Sequence, residues 1–240
     1  LLKKFPNISI IYGKDNTGDL YHHVNLQYCA EKYRNSMHII TADGGFDFSN
    51  NFDEQENNIF RLIFTQVSYA LALQKKDGHF ILKMFDIFSV NSLQILYLLS
   101  CFYKKVIISK PNTSRQANSE KYIVCKNFRL DDSYQYVFYL SNIIDQFKED
   151  KYPKSFLKLK IPYIFISNIQ EINQILGQIQ LNSLLQTFNI IKDPKQERLH
   201  KLKQANIIKC IEWCIKYKIP YRRKGQLWFL PAFRSDQRSS

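Results

Sequence analysis

The stretch GHFILKMFDIF, residues 78–88, decides the fold. Phe80, Ile81, Leu82, Met84, Phe85, Ile87 and Phe88 read as a buried strand. Lys83 interrupts the run. An ammonium group in such a setting must snorkel out, find a partner or do chemistry.

Helices flank this strand on both sides. DEQENNIFRLIFTQVSYALALQKKDG (53–78) opens with acids, favourable at the positive end of a helix dipole, and closes with two lysines before an Asp-Gly turn. NSLQILYLLSCFYKK (91–105) reads as a second helix with Asn91 or Ser92 as its cap. Upstream, MHIITADGG (37–45) is a strand running into a tight turn. HHVNLQYCAEKY (22–33) has helical spacing, and ISIIYG (8–13) is a short buried strand stopped by glycine. Downstream, VIISK (106–110) and KYIVCKNF (121–128) are strands around the polar loop PNTSRQANSE.

Alternating strands and helices predict an α/β fold with a mostly parallel sheet and helices on both faces. The last two strands are separated by a loop too short for a helical crossover, so they should pair antiparallel. Beyond 129 the pattern is helical, in SYQYVFYLSNIIDQFK, NIQEINQILGQIQLNSLLQTF and PKQERLHKLKQANIIKCIEWCIKY. A soft boundary near 150 divides a core, 1–150, from a helical extension, 151–240.

Charge follows the same division. Residues 1–150 carry 17 Lys/Arg against 16 Asp/Glu, whereas 151–240 carry 17 against 5, nearly all of the net +13. A basic extension fits a polyanionic partner, nucleic acid first, or simply a solvated lysine-rich surface. The 5 cysteines are scattered and odd in number, which favours reduced thiols in an intracellular protein. Cys210 and Cys214 lie one helical turn apart without further ligands, so core packing is expected instead of zinc. No membrane span is expected, because LQILYLLSCFY is too short.

Three ionisable residues stand out by position. Asp43 ends one predicted strand, Lys83 lies on the next and Glu120 opens the last. Ligands bind beyond the carboxyl ends of parallel strands, and an antiparallel final strand begins at that same rim. A lysine between two carboxylates could take a proton from a weakly acidic hydroxyl when neutral. When charged, it could stabilise a developing alkoxide. Ordinary readings stay open: Lys83 snorkelling or pairing with Asp86, Asp43 shaping the Gly-Gly turn, Glu120 a solvated strand end.

TADGGFDF, HFILKMFDIF and SKPNTSRQANSEKYIVCKNF, in this order, resemble the FtsJ-type ribose 2′-O-methyltransferases, particularly the cap-1 mRNA enzymes. The resemblance is firm from Gly18 to Phe128. It implies a Rossmann-like S-adenosylmethionine-methyltransferase sheet with an antiparallel last strand. It also implies a Lys-Asp-Lys-Glu tetrad whose last three members match Asp43, Lys83 and Glu120. By the same resemblance Asp19, Leu20 and Gly44 would touch S-adenosyl-L-methionine. Lys110, Arg115, Asn118 and Ser119 would meet RNA, with no metal required. Arg222 and Arg223, in the basic aromatic tail, are further candidates for RNA contact. The Ile, Asn, Lys, Tyr and Phe bias resembles proteins of large DNA viruses, which implies capped viral mRNA as partner and an infected cell's cytoplasm as location.

Two parts of the family pattern are missing. The first tetrad lysine and the glycine-rich cofactor loop should precede ISIIYG, and YGKDNTG is a poor substitute. The expectation is therefore a sheet incomplete at its N-terminus, completed by a further N-terminal segment of the same gene product. A catalytically degenerate relative that binds RNA or serves as a scaffold is the alternative.

Overall fold

The computed structural model describes residues 5–45, 55–147 and 155–221. Its elements run α1 (His23–Tyr33), β1 (Met37–Ala42), α2 (Gln55–Leu73), β2 (Gln74–Met84), α3 (Val90–Phe102), β3 (Tyr103–Ser109), β4 (Lys121–Phe128), α4 (Tyr134–Gln146), α5 (Tyr163–Lys192) and α6 (Gln196–Lys216). The four strands form one sheet in the order β1-β2-β4-β3. β1 and β2 are parallel, and β4 lies antiparallel between β2 and β3. This is the mixed α/β arrangement expected, with the last strand reversed.

β2 shows why the sheet has two unlike faces. Phe80, Leu82 and Met84 are fully buried, while Ile81 and Lys83 between them are half-buried. β4 repeats the alternation, with Lys121, Ile123 and Cys125 buried and Tyr122 and Val124 only partly so. A strand's side chains point alternately to opposite sides, so one face is packed and the other open. The packed face meets Ile59, Phe60, Ile63, Phe64, Val67 and Leu71 of α2, whose three- and four-residue spacing makes one apolar stripe. Among the described residues the helices thus cover one face of the sheet, not both.

Several local expectations change. α2 ends at Leu73, and Gln74 already begins β2. The cause is tertiary: buried Gln74 donates its amide to Met37 O at 2.7 Å and accepts from Tyr103 Oη at 3.0 Å. The pairing then slips, since Met37 faces Gln74 but Ile39 faces His79. Asp77 takes a positive φ of 60° in the resulting bulge. Gly78 is required there, because a Cβ would sit 2.9 Å from His38 O. α3 is capped by Ser89, not Asn91 or Ser92; its hydroxyl accepts from Ser92 N.

The predicted strand 8–13 is irregular and exposed, with Ile8, Ile10, Ile11 and Tyr12 all at least 41% accessible. A strand needs a neighbouring ladder for its backbone groups, and none is present beside it among the described residues. Two compact units are defined, Leu1–Leu181 and Asn182–Ser240. The core passes the boundary expected near 150, because Phe156, Phe165 and Ile169 pack against it. In the second unit Cys210 is exposed and Cys214 half-buried, so neither is a core thiol. No helix of the described residues is long and apolar enough to cross a membrane.

Candidate active site

Lys83 points to the open face near the carboxyl end of β2. Its Nζ lies 2.6 Å from Asp43 Oδ1 and donates to Asp43 O at 3.1 Å. Asp43 follows the last residue of β1, so parallel pairing of Ala42 with Leu82 brings the two together. The amine is sheltered, at 17% side-chain exposure, while the carboxylate is 71% exposed. The Phe85 ring lies 5.8 Å from Nζ, and Gly45 leaves room beside it. The ammonium is met by a partner, and the partner is Asp43, not Asp86.

Tyr122 pairs with Lys83 across the β2–β4 ladder. Its hydroxyl donates to Glu120 Oε1 at 3.1 Å, and Ser114 Oγ lies 3.4 Å from the same oxygen. The Tyr122 phenol is pushed above its ordinary range by burial, then by the Glu120 bond and the charges of Glu120 and Asp43. Glu120 therefore stands at the same rim, but with no ion pair to Lys83 among the described residues. The aromatic hydroxyl is the element that sequence reasoning missed. Its signal was available, since Glu120 and Tyr122 lie two apart on a strand and share a face.

The loop 110–120 is tied internally. Lys110 Nζ donates to Asn118 O at 2.8 Å, Asn118 Oδ1 at 3.0 Å and Glu120 O at 2.8 Å. An ammonium has three donors, so none remains for a phosphate in this conformation. Burial also lowers its pKa. Asn118 is thereby engaged, and the Ser119 hydroxyl acts on the Asp86 carboxyl, lowering its pKa against the larger effect of burial. Arg115 is the one exposed cation of the four expected RNA contacts. Arg222 and Arg223 lie outside the described residues.

The residues expected at a cofactor separate into two places. Asp19 and Leu20 line a cavity of about 360 Å³ with Tyr12, Gly18, Asn25 and Tyr69. Gly44 does not line it; a Cβ there would overlap Gln66 and sit 3.1 Å from Leu62 Cδ2. Gly44 is a packing glycine in this structure. Loop 13–19 engages most of its amides with acceptors in and beside it. Lys14 N and Asp15 N donate to Asn25 Oδ1 (2.8 and 3.3 Å), Thr17 N to Asp15 Oδ1 at 3.0 Å, Gly18 N to Tyr12 O at 2.7 Å and Asp19 N to Thr17 Oγ1 at 3.0 Å. Five of the seven backbone amides of 13–19 are thus engaged locally.

A family model, FtsJ-like methyltransferase, matches residues 2–128. The chain belongs to the FtsJ-like methyltransferase family. It is also similar to cap-specific mRNA (nucleoside-2′-O-)-methyltransferase 2 of Danio rerio, at 33% identity over 201 residues, covering 80% of this chain and 27% of that protein. The type 2 protein of Drosophila melanogaster is 32% identical over 161 residues, 65% of this chain and 23% of that protein. The type 1 protein of Mus musculus is 31% identical over 182 residues, 70% and 21% respectively. The FtsJ-like chain thus spans about a quarter of these relatives' length. Asp43, Tyr122, Glu120 and Lys83 all fall inside the matched segment.

Proposed function

We propose that the chain carries the catalytic residues of an S-adenosylmethionine-dependent RNA ribose 2′-O-methyltransferase acting at the capped 5′ end of mRNA. The observation that supports this most is the sheltered Lys83 ammonium held by Asp43 beside the Tyr122–Glu120 pair. The methyl donor supplies an electrophilic methyl group to the 2′-oxygen. Lys83 Nζ either accepts the hydroxyl proton or, as ammonium, stabilises the developing alkoxide. Asp43 aims Nζ, and Glu120 with Tyr122 offers acceptors to the ribose edge. Asp19 and Leu20 fit the nucleoside end of the donor, with a carboxylate for its hydroxyls and an apolar wall. The 13–19 loop, with most of its amides engaged locally, offers few backbone donors to its amino-acid end.

That local engagement also supports a second reading, a relative that binds RNA without transferring methyl groups. One assay separates the two: labelled methyl transfer to capped and uncapped RNA, alongside RNA binding. Transfer that falls about 10²- to 10⁴-fold in Lys83→Ala supports catalysis. Undiminished transfer removes Lys83 from the chemistry, and binding without transfer favours the second reading.

A further inference from the structure

Behind the rim, on the packed face, lies a second set of charges. Lys121 follows Glu120 and precedes Tyr122, so its side chain points away from both. It is 4% exposed, and its Nζ donates to Phe85 O at 2.5 Å. Asp86 and Glu56 act on the ammonium favourably through space, and Lys110 unfavourably. Burial pushes the Asp86 carboxyl above its ordinary range, and the neighbouring Ser119 hydroxyl acts in the opposite direction. Glu56, in the first turn of α2, accepts from Phe88 N at 3.1 Å and Ser89 N at 2.8 Å. Asn173 Nδ2 reaches Ile87 O at 2.9 Å. Every residue of segment 85–89 is therefore held by a side chain or holds one.

The backbone ladder stops just short of this segment. Its last β2–β4 pair is Met84 with Lys121. Glu120 and Phe85 lie beyond it, yet the Phe85 ring lies 5.8 Å from Lys83 Nζ and Glu120 is bonded to Tyr122, the cross-strand partner of Lys83. Ser119 and Lys121 bracket Glu120 and both reach back to 85–86. We propose that Lys121 is a positioning residue for this reaction: with Ser119 it continues the β2–β4 pairing through side chains, past the last backbone pair, and so sets Glu120 and Tyr122 against Lys83. An amine suits the task, since the Phe85 carbonyl accepts from it and the charges of Asp86 and Glu56 favour an ammonium there. This proposal rests on the catalytic reading of the opposite face.

The test compares Lys121→Met, Lys121→Arg and Ser119→Ala in methyl transfer and in hydrogen–deuterium exchange. Lys121→Met should lower kcat by about ten- to hundredfold, the scale of a misplaced group, while KM for RNA stays within about twofold. Lys121→Arg should recover kcat to within about threefold, because guanidinium keeps the charge and the donors. Exchange in 85–89 should quicken about tenfold in Lys121→Met, with 123–125 unchanged. Wild-type kcat in Lys121→Met, or equal losses in Met and Arg, overturns the proposal. If the wild-type chain transfers no methyl group, the catalytic reading fails instead. Exchange then still decides whether Lys121 anchors the segment, and an unchanged 85–89 rejects it.

Discussion

Gly44→Ala offers a sharp trial of the site, because the sequence reading makes Gly44 a cofactor contact and the structure makes it a packing position. A Cβ there overlaps the Gln66 amide and crowds Leu62 Cδ2 at 3.1 Å. Overpacking of this kind costs about 1–3 kcal/mol, and the low half applies because the Gln66 tip can bend. Gly44 is not among the positive-φ glycines, so alanine also reduces unfolded-chain entropy, worth about 0.4–1 kcal/mol in the stabilising direction. The net expectation is a loss of about 1 kcal/mol, roughly 2–4 °C in Tm for a protein of this size. Gly45→Ala meets only Lys83 Nζ at 3.7 Å, an ordinary contact, and should stay within about 0.5 kcal/mol of wild type. The assay is urea unfolding of wild type, Gly44→Ala, Gln66→Ala and the double variant, without cofactor. Shortening Gln66 removes the overlap, so the alanine at 44 should cost almost nothing in that background, a coupling of about 1 kcal/mol. An undamaged Gly44→Ala, or a cost that persists when Gln66 is shortened, would refute the packing argument.

Other expectations concern the packed face and the surface. Tyr103→Phe leaves Gln74 Oε1 buried without its donor, and urea unfolding should show a loss of about 1–3 kcal/mol. Burial lowers the Lys121 pKa to about 8, below its unfolded value, so between these values the unfolded chain holds more protons. The Lys121 contribution to stability therefore rises with pH above 8. Relative to Lys121→Met, wild type should gain about 2 kcal/mol between pH 7 and pH 10; a pH-independent difference would contradict this. Burial pushes the Cys125 thiol up to about 12, so a disulfide reagent at pH 8 should modify exposed Cys101 and Cys210 quickly and Cys125 only on unfolding. Arg115→Ala should lessen the salt dependence of RNA binding by about one phosphate contact, and an unchanged slope would remove Arg115 from the interface.

Periodicity and composition made much of this readable in advance. The apolar run around Lys83, the alternation of β4 and the short loop before it are local signals, and strand existence and antiparallel pairing follow from them. The convergence of Asp43, Lys83 and Glu120 on one rim also follows, because carboxyl ends of parallel strands meet the start of an antiparallel neighbour. Partner choice did not follow. Pairing of Lys83 with Asp86 stays open in the sequence, and register decides for Asp43 by placing it beside Nζ. Lys110 looked free for phosphate until the loop folded onto it.

What the amino-acid order determined alone was the succession of elements and the residues carried to the rim, since these depend on spacing within a few turns of chain. Only the tertiary structure decided which groups touch there. Tyr122 joins Glu120, Lys121 anchors the far face, Gly44 yields to Gln66, and 8–13 forms no strand. Each of these outcomes depends on a neighbour's register or presence, and no local pattern encodes a neighbour.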